Sequence, residues 1–392
     1  MASVVRNSAR VHDVSRVVIA GYVRSPFCPA HRGDLRELRP DELGGQVVRA
    51  LVDRTGVAPD AIEDVTMGCA FPEGEQGMNV GRIVGVLAGL PRSVAGATIN
   101  RFCGSAMQAI HTAAGSIAMG MGEAYVAGGT ESMSRVPMVG FNFLPHPGLV
   151  CDYPQIYMSM GETAEHVARR YGVTRERQEA FAVGSQQKAA AAQADGRLAE
   201  EIAPVLVGDR PVEQDGCLRP ATSAEGLAAL KPAFQADGTV TAGTSSPLTD
   251  GATACLVTTE SFARAHAIEP LAVVRGFAVS GCEPEVMGIG PVQAVTKVLD
   301  RAGLTIADVD LMELNEAFAS QSVAVIEELG IDPARVNVDG GAIALGHPLG
   351  ATGARITGKA AQLLRRTGGR YAVSTQCIGG GQGIATLLEA VE

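Results

Sequence analysis

The chain has 392 residues, of which 46% are hydrophobic and 19% charged, and its formal net charge at pH 7 is −10. This composition is typical of a globular protein with about two or three domains' worth of chain, so disordered and collagen-like proteins are excluded. An acidic chain without a run of Lys and Arg binds nucleic acids and anionic membranes poorly, and an anionic ligand would therefore need a local basic site.

The cysteine pattern favours a reducing compartment, and the longest uncharged stretch does not indicate a membrane span. The eight cysteines are scattered and form no C-x-x-C motif, which argues against a disulfide framework and a zinc ribbon. The uncharged stretch 104–122 contains Gln108 and His111, and is predicted to be a helix buried in protein rather than a membrane span. Residues 1–15 lack the apolar core of a secretory signal. We expect a cytoplasmic protein, with a weak transit peptide left open.

The predicted strands are short and almost entirely apolar. Examples are VVIA (17–20), AYVA (124–127) and YAVS (371–374). Strands that are buried on both faces have this composition, and predicted helices alternate with them. The pattern predicts a layered α/β/α architecture.

An internal repeat indicates that this architecture is doubled. Residues 50–71 align without a gap with residues 297–318, and each segment is predicted to be a helix ending at Gly, a turn and a strand. Three more correspondences follow in the same order: Asn100 with Asn337, AYVAGG (124–129) with YAVSTQ (371–376), and GATACL (251–256) with GIATLL (383–388). Four matches in one order make chance similarity the weaker interpretation.

The two copies differ by an insertion in the first. Residues 135–239 have no counterpart in the second copy, and they contain predicted helices over 161–171 and 174–194, with Thr174 as the N-cap of the latter. The segment 196–249 is predicted to form loops over the face where the halves meet. We therefore predict three parts: an N-terminal half over 14–134 completed by 240–267, an inserted loop domain over 135–239, and a C-terminal half over 270–392.

Cys103 is the first candidate for chemistry. The segment ATINRFCGSAMQAIHTAAGSIAMG predicts a strand ending near Asn100 and a helix beginning near Cys103. The free N–H groups and the dipole at a helix N-terminus stabilise a thiolate, and they can also hold an oxyanion. The competing interpretation is a small buried hydrophobic residue, as most free cysteines are.

Three further segments carry polar residues at strand ends or in Gly-rich loops. His347 lies in GGAIALGHPLGATGAR (340–355) and is a candidate base for a Cys nucleophile. Cys377 in STQCIGGGQG (374–383) follows a strand and is a candidate acid or base beside a loop of N–H donors. In ELNEAFAS (313–320), Asn315 is expected to hold a water or an oxyanion and Glu316 to buttress a His.

Other motifs fail. GARITGKA (353–360) resembles a P-loop, but Ala360 stands where Ser or Thr would bind Mg²⁺. No G-x-S-x-G or H-E-x-x-H occurs, and Cys and His are too dispersed to predict a metal site.

The segments NRFCGSAMQAIH, NEAFA, GGAIALGHPLGATGAR and CIGGGQG together resemble the thiolase family, over about residues 15–391. MGETAEHVA (160–168), LKPAFQADGTVTAGTSSPLTDGA (230–252) and VMGIGP (286–291) are similar to the same family. The resemblance implies a duplicated thiolase-type layered α/β/α/β/α fold with an inserted loop domain.

Two segments, RPATSAEGLAALKPAF and TAGTSS, are similar to the degradative 3-ketoacyl-CoA thiolases of fatty-acid β-oxidation. Short-chain thiolases often carry His before the Met-Gly of the loop motif, whereas this chain has Ser159. We expect the degradative type, with acetoacetyl-CoA still a possible substrate.

The resemblance implies a mechanism with one thioester intermediate. Cys103 attacks the 3-keto carbon of a 3-ketoacyl-CoA, His347 takes the thiol proton, and Cys377 protonates the leaving acetyl-CoA enolate. His347 Nε2 and a water on Asn315 would form one oxyanion hole, and the N–H groups of Cys103 and Gly379 the other. Coenzyme A then displaces the shortened acyl group, so it is a substrate, and no metal or redox cofactor is implied.

The resemblance also implies contacts with coenzyme A and partners. Ser246 and Arg219 would contact coenzyme A, and the residues lining the pantetheine channel would be Phe234, Met160, Met287 and Phe318. Each of these residues also has a non-functional interpretation. Arg219 would then be a solvated charge on a loop, and the Met and Phe residues would be members of the hydrophobic core. A homodimer or homotetramer and a β-oxidation multienzyme partner are expected, with no nucleic acid and no membrane span.

Three alternatives compete with the degradative thiolase. A short-chain acetyl-CoA acetyltransferase would use the same residues. A ketoacyl synthase would use one Cys and two His, whereas this chain offers Cys, His, Cys and Asn. A catalytically silent lipid carrier or scaffold would be expected to lack one of the thiols.

Overall fold

The computed structural model describes residues 16–391. The predictions for residues 1–15, including the absence of a signal sequence, lie outside the described residues, as does the predicted start of the first half at residue 14. The strands are β1 (Val17–Arg24), β2 (Cys28–Pro29), β3 (Asp64–Gly68), β4 (Ala95–Ile99), β5 (Ala124–Ser132), β6 (Val205–Val207), β7 (Arg210–Val212), β8 (Thr249–Thr259), β9 (Ala272–Gly281), β10 (Leu311–Leu314), β11 (Tyr371–Ile378) and β12 (Gln382–Glu389). The helices are α1 (Pro40–Thr55), α2 (Val80–Leu87), α3 (Ser105–Ala118), α4 (Pro147–Asp152), α5 (Met160–Arg170), α6 (Arg175–Ala194), α7 (Ala224–Ala228), α8 (Glu260–Ala265), α9 (Gly290–Ala302), α10 (Ala319–Leu329), α11 (Ala342–Leu345) and α12 (Leu349–Thr367).

The strands of the two halves follow the same order and the same directions. In the first half the order is β4, β3, β5, β8, β1, with parallel pairing among the first three and antiparallel pairing after that. In the second half, β10, β11, β12 and β9 repeat the last four places, and a parallel bridge from Met312 to Val336 marks the place of β4. The halves join where Val18 and Ile19 of β1 pair with β9. The predicted duplication is therefore confirmed.

The helices form layers on both sides of these strands. Helices α3 and α12 pack against each other and against strands of both halves, so they make the central layer. Helices α1 and α2 cover the outer face of the first half, and α9 and α10 cover that of the second. The predicted layered α/β fold is confirmed. The uncharged stretch 104–122 contains α3, and no helix between residues 16 and 391 is long and apolar enough to cross a membrane.

The repeated glycines of the sequence end the helices before β3 and β10. Gly56 closes α1 with φ of 67°, and Gly303 closes α9 with φ of 68°. This left-handed conformation is open to glycine without steric cost, which explains why both copies carry Gly at this place.

The insertion is held to the second half by its helices. Helix α5 begins one residue before the predicted start, and α6 ends at the predicted residue, with Thr174 accepting a hydrogen bond from the Arg177 N–H as its N-cap. Helices α5 and α6 pack against α10, and α6 also packs against α11. The short strands β6 and β7 pair as a hairpin within the predicted loop segment. The division into three parts, with its boundaries, remains a prediction.

A buried network of ion pairs joins the insertion to both halves. The Arg24 guanidinium of β1 lies 2.8 Å from Glu201 and 2.6 Å from Asp215, both in the insertion. Lys359 of α12 lies 3.2 Å from Glu201 and 2.8 Å from Asp339. Burial alone would raise the pKa of Glu201, but Lys359 and Arg24 lower it to about 2. Glu201 is therefore held as a carboxylate in the protein interior.

Candidate active site

Cys103 lies in the tight turn between β4 and α3, as the sequence predicts. Phe102, directly before it, has φ of 42°, a left-handed conformation that is rare for a large side chain. The Asn100 side chain accepts a hydrogen bond from the Phe102 N–H at 2.8 Å and stabilises this turn. The strained turn places the thiol at the N-terminus of α3, beside N–H groups that the helix leaves free.

Two backbone N–H groups interact with the Cys103 sulfur, that of Gly379 and that of Cys103 itself. Burial raises the pKa of the Cys103 thiol to about 12, and the two N–H groups act in the opposite direction because they stabilise a thiolate. The resting site therefore holds a neutral thiol. A pair of convergent N–H donors beside a nucleophile is the geometry of an oxyanion hole.

The His347 ring has a defined tautomer. Thr352 Oγ1 donates its proton to the Pro348 carbonyl at 2.9 Å, so it accepts a hydrogen bond from His347 Nδ1–H at 2.6 Å. In the neutral ring Nε2 is then unprotonated, and it lies 3.3 Å from the amide nitrogen of Asn315. Burial lowers the pKa of His347 to about 3, so the imidazole is neutral over the physiological range. Nε2 is available to take a proton.

The loop that carries His347 is fixed from the backbone side. The His347 N–H donates to Thr249 Oγ1 at 3.0 Å, and residue 347 bridges to Leu248. Gly346 has φ of 102°, which a side chain would make costly. A Cβ on Gly346 would also stand 2.7 Å from Thr249. The ring position is therefore determined by Leu248 and the first residue of β8.

Asn315 and Glu316 point in different directions, and the expectation for Glu316 is wrong. The Asn315 side chain faces His347, and its Oδ1 atom is buried without a partner among the described residues. The Glu316 carboxylate accepts hydrogen bonds from Ser185 at 2.6 Å, Asn337 at 2.7 Å and the Ile343 N–H at 3.2 Å, and it does not bond to His347. Successive side chains at a strand end point to opposite sides, so only one of the two reaches the imidazole.

Cys377 lies at the end of β11, near Cys103. Burial raises the pKa of the Cys377 thiol well above its ordinary value, and the neighbouring Cys103 sulfur raises it further. Gln376, one residue earlier, donates a hydrogen bond from its side chain to the Cys103 carbonyl. The two thiols therefore belong to one buried region, supplied by opposite halves of the chain.

Three of the residues predicted to bind substrate pack around Cys377, and a fourth contacts one of them. Met160, Met287 and Phe318 pack with Cys377 in one apolar cluster. The rings of Phe234 and Phe318 meet edge to face with centroids 5.9 Å apart, and Phe234 is 42% exposed at the outer side. These side chains form an apolar path from the surface to the thiols.

Ser246 and Arg219 lie farther out. The Ser246 N–H and hydroxyl both donate to the Ala317 carbonyl, at 3.0 and 3.1 Å, directly beside Phe318. Arg219 is exposed and lines two neighbouring cavities together with Cys217 and Pro247. The structure thus brings Ser246 to the apolar path and leaves Arg219 at the outer end.

Sequence reasoning missed the residues that hold the site in place. Thr352 and Thr249 orient His347, and the buried carboxylate of Glu131 accepts hydrogen bonds from the Ala70 N–H at 2.7 Å and the Gly350 N–H at 2.8 Å. The one available signal was that Thr352 belongs to the same Gly-rich motif as His347. Among residues 16–391, no group of three His, Cys, Asp or Glu side chains is arranged to hold a metal ion.

The family comparisons cover almost the whole described chain. Residues 17–261 match the model of the thiolase N-terminal domain, and residues 268–390 match that of the thiolase C-terminal domain. The chain is 48% identical over 389 residues to a 3-ketoacyl-CoA thiolase of Bacillus subtilis, with 96% of this chain and 100% of the relative covered. It is 45% identical to a 3-ketoacyl-CoA thiolase of Shewanella sp. strain MR-7, with the same coverage.

A solved structure is similar over nearly the same length. The crystal structure of human mitochondrial 3-ketoacyl-CoA thiolase in complex with CoA superposes with a TM-score of 0.89 at 38% sequence identity. The match covers 96% of this chain and 98% of the human chain.

Proposed function

The chain belongs to the thiolase family, and from that premise we propose that it cleaves 3-ketoacyl-CoA with coenzyme A to acetyl-CoA and a shortened acyl-CoA. It is an acetyl-CoA C-acyltransferase of the β-oxidation type, and the reaction is reversible. The observation that carries this proposal is the pair of buried thiols, Cys103 at the N-terminus of α3 and Cys377 near the end of β11, which lie in one region where Gln376 donates to the Cys103 carbonyl.

The first half of the reaction transfers the acyl group to the enzyme. Cys103 attacks the 3-keto carbon while its proton passes to His347 Nε2. Because burial disfavours both the thiolate and the imidazolium, the proton moves together with the attack, as charge develops on the keto oxygen. The N–H groups of Cys103 and Gly379 stabilise that oxygen in the tetrahedral intermediate.

Cleavage of the C2–C3 bond then releases an enolate. The electron pair of the bond moves into the acetyl-CoA part, and the thiol of Cys377 protonates C2. His347 and a water held by the unpartnered Oδ1 of Asn315 stabilise the enolate oxygen. The shortened acyl group remains on Cys103 as a thioester.

The second half returns the acyl group to coenzyme A. The Cys377 thiolate takes the proton of the incoming CoA thiol, whose sulfur attacks the thioester. Cys103 leaves and regains its proton from His347, so both thiols and the imidazole end in their starting states. Ser246 and Arg219 contact coenzyme A, and the apolar path of Phe234, Met160, Met287 and Phe318 holds the pantetheine arm.

Membership of the thiolase family also supports proposals for the subtype, the cellular location and the oligomeric state. Ser159 caps α5 through a reciprocal pair with Glu162, so the place where short-chain thiolases often present an imidazole holds a structural hydroxyl. This favours the degradative type over a dedicated acetoacetyl-CoA enzyme. We place the protein in the cytoplasm as a homodimer or homotetramer, with a β-oxidation multienzyme partner as a further expectation.

The direct test is thiolysis of 3-ketoacyl-CoA. The protein is mixed with coenzyme A and substrates from acetoacetyl-CoA upward in chain length, and the loss of the 3-keto thioester absorbance is followed. We expect turnover with the longer substrates at least as fast as with acetoacetyl-CoA. Absence of turnover at every chain length would leave the silent carrier or scaffold as the better assignment.

A second test separates the roles of the two thiols. Cys377→Ala is expected to retain slow acylation of Cys103 by acyl-CoA, seen as a mass increase of the intact protein, while carbon–carbon cleavage is lost. Intact thiolysis in this variant would contradict the acid–base role of Cys377.

A further inference from the structure

Two exposed arginines line one cavity near the outer end of the substrate path. The cavity has a volume of about 460 Å³, and its lining residues are Pro29, Arg32, Gly216, Cys217, Arg219 and Pro247. Both arginines are exposed, and no acidic residue is among the six. The cavity is therefore lined by two positive charges in a chain whose net charge is −10.

The absence of partners distinguishes these two arginines from nearly all others. Between residues 16 and 391, Arg32, Arg92 and Arg219 are the arginines whose guanidinium groups make no hydrogen bond or ion pair. Two of them line the same cavity. Guanidinium groups that line one cavity with no carboxylate in its lining are suited to bind phosphate, because their N–H donors match its oxygens.

The acidic residues closest along the chain are already occupied. Asp215 binds the Arg24 guanidinium through both carboxylate oxygens, at 2.6 and 2.8 Å, and also accepts the Phe27 N–H. Asp34 accepts a hydrogen bond from Arg210 at 2.9 Å. Neither carboxylate neutralises Arg32 or Arg219, so the positive charge of the cavity is left for a ligand.

The cavity continues into the path that leads to the thiols. A second cavity shares Cys217, Arg219 and Pro247 with it and reaches Ser245. Ser245 bridges to Phe318, which packs with Cys377. A ligand that extends from the thiols along this path therefore reaches the two arginines with its far end.

We propose that Arg32, together with Arg219, binds the 3′-phosphate of coenzyme A and makes the enzyme select coenzyme A over 3′-dephospho-coenzyme A. This inference rests on the proposed function, which supplies coenzyme A as the ligand. A phosphate monoester with two negative charges matches two guanidinium groups in charge and in donor geometry. The site also provides the local basic patch that an anionic ligand needs in this acidic chain.

The experiment measures steady-state thiolysis with coenzyme A and with 3′-dephospho-coenzyme A. For Arg32→Gln we expect KM for coenzyme A to rise about ten-fold, with kcat and KM for the dephospho form unchanged. Arg32→Lys should recover part of the affinity. Arg92→Gln removes the other unpartnered guanidinium and is the matched control, with both KM values as in the wild type. Equal KM changes for the two acceptors, or none for either, would overturn the proposal.

Binding without turnover makes the result independent of the proposed function. Calorimetry with adenosine 3′,5′-bisphosphate should show binding to the wild-type protein that weakens about ten-fold in Arg32→Gln, while ADP binding is unaffected. If the wild-type protein turns over neither acceptor, the proposed function fails and this measurement still decides the phosphate site. Inorganic phosphate binding as tightly as the bisphosphate would identify a site for free phosphate and refute the assignment to coenzyme A.

Discussion

The two central helices occupy corresponding places in the duplicated chain, yet their N-termini are used differently. At the start of α12, the Gly350 N–H donates to the buried carboxylate of Glu131 from the first half. At the start of α3, the neighbouring N–H of Cys103 interacts with a thiol. The free N–H groups and positive dipole end of a helix N-terminus thus bind a structural carboxylate in the second copy, whereas in the first copy they face the reacting sulfur.

The helix bodies differ as well. Helix α3 has the sequence SAMQAIHTAAGSIA, which contains no Asp, Glu, Lys or Arg. Most of its own buried side chains are small or apolar. Helix α12 buries Arg355 and Lys359, whose charges pair with Glu313, Glu201 and Asp339. The two halves therefore place α3 and α12 in equivalent positions, but their sequences differ. Helix α3 positions the reacting Cys103, whereas α12 forms the buried ion pairs that connect the insertion with the second half.

The largest effect is expected when the thiol at the start of α3 is removed. Cys103→Ala should lower kcat/KM by about 10⁴-fold or more without unfolding the protein, because no acyl group can be carried. Thiolysis rates and circular dichroism measure the two properties. Cys255→Ala, which removes a buried thiol of β8 that packs against the central layer, is the control and should stay active. Activity of Cys103→Ala close to wild type would remove the distinction between the two helix N-termini.

The next effect tests the joining role of α12. Lys359→Met should lower the free energy of unfolding by about 3 kcal/mol at neutral pH, because Glu201 and Asp339 lose a buried counter-charge. Lys297→Met removes an exposed lysine of the same half and should cost little. Urea denaturation of both variants gives the comparison, and equal losses would contradict a special role for the buried lysine.

The same variant has a defined pH dependence. The pKa of Glu201 is lowered from 4.5 to about 2, so between these values the unfolded chain binds more protons than the folded one. Wild-type stability should therefore fall as the pH falls through this window. Lys359→Met lacks part of this contribution, so the difference in stability between the two proteins should narrow as the pH approaches 2.

A smaller effect tests how the start of α12 positions the imidazole. Thr352→Val keeps the shape of the side chain but removes the acceptor for His347 Nδ1–H, and we expect kcat to fall about 10²-fold with KM for coenzyme A unchanged. Thr352→Ser should recover most of the rate. A change confined to KM, or no rescue by Ser, would mean that Thr352 acts through packing alone.

The smallest effect concerns the carboxylate beneath α12. Glu131→Gln should lower the free energy of unfolding by about 1–2 kcal/mol, because the Ala70 and Gly350 N–H groups lose a charged acceptor. Denaturant titration beside the exposed control Glu63→Gln measures it. An unchanged midpoint would show that the N-terminus of α12 does not depend on this charge.

Local sequence patterns were sufficient to predict much of the fold and the position of the nucleophile. The repeat placed corresponding strands correctly because apolar periodicity and helix-ending glycines are local signals. Thr174 was recognisable as an N-cap, and Cys103 as a residue at a helix N-terminus, from neighbours along the chain alone. The close association of Cys103 and Cys377 followed from the family resemblance, since no local pattern links residues so far apart.

Long-range partners were beyond the reach of such signals. Arg24, Glu201 and Lys359 each have the appearance of solvated charges in sequence, and only the folded chain brings them together in the interior. Glu316 was the right residue type for a buttress, but the alternation at the end of β10 turns it away from His347 toward Asn337. The predicted roles of the site residues and the domain boundaries stay predictions for the experiments above.

The buried ion pairs also constrain the order in which the chain can mature during synthesis. Arg24 is synthesised before Glu201 and Glu201 before Lys359, and both cations are buried against the Glu201 carboxylate. An incomplete nascent chain therefore has an interior that it cannot close, although its first strands are already available for pairing. The interior around Glu201 therefore stays without one of its counter-charges until α12 has been made.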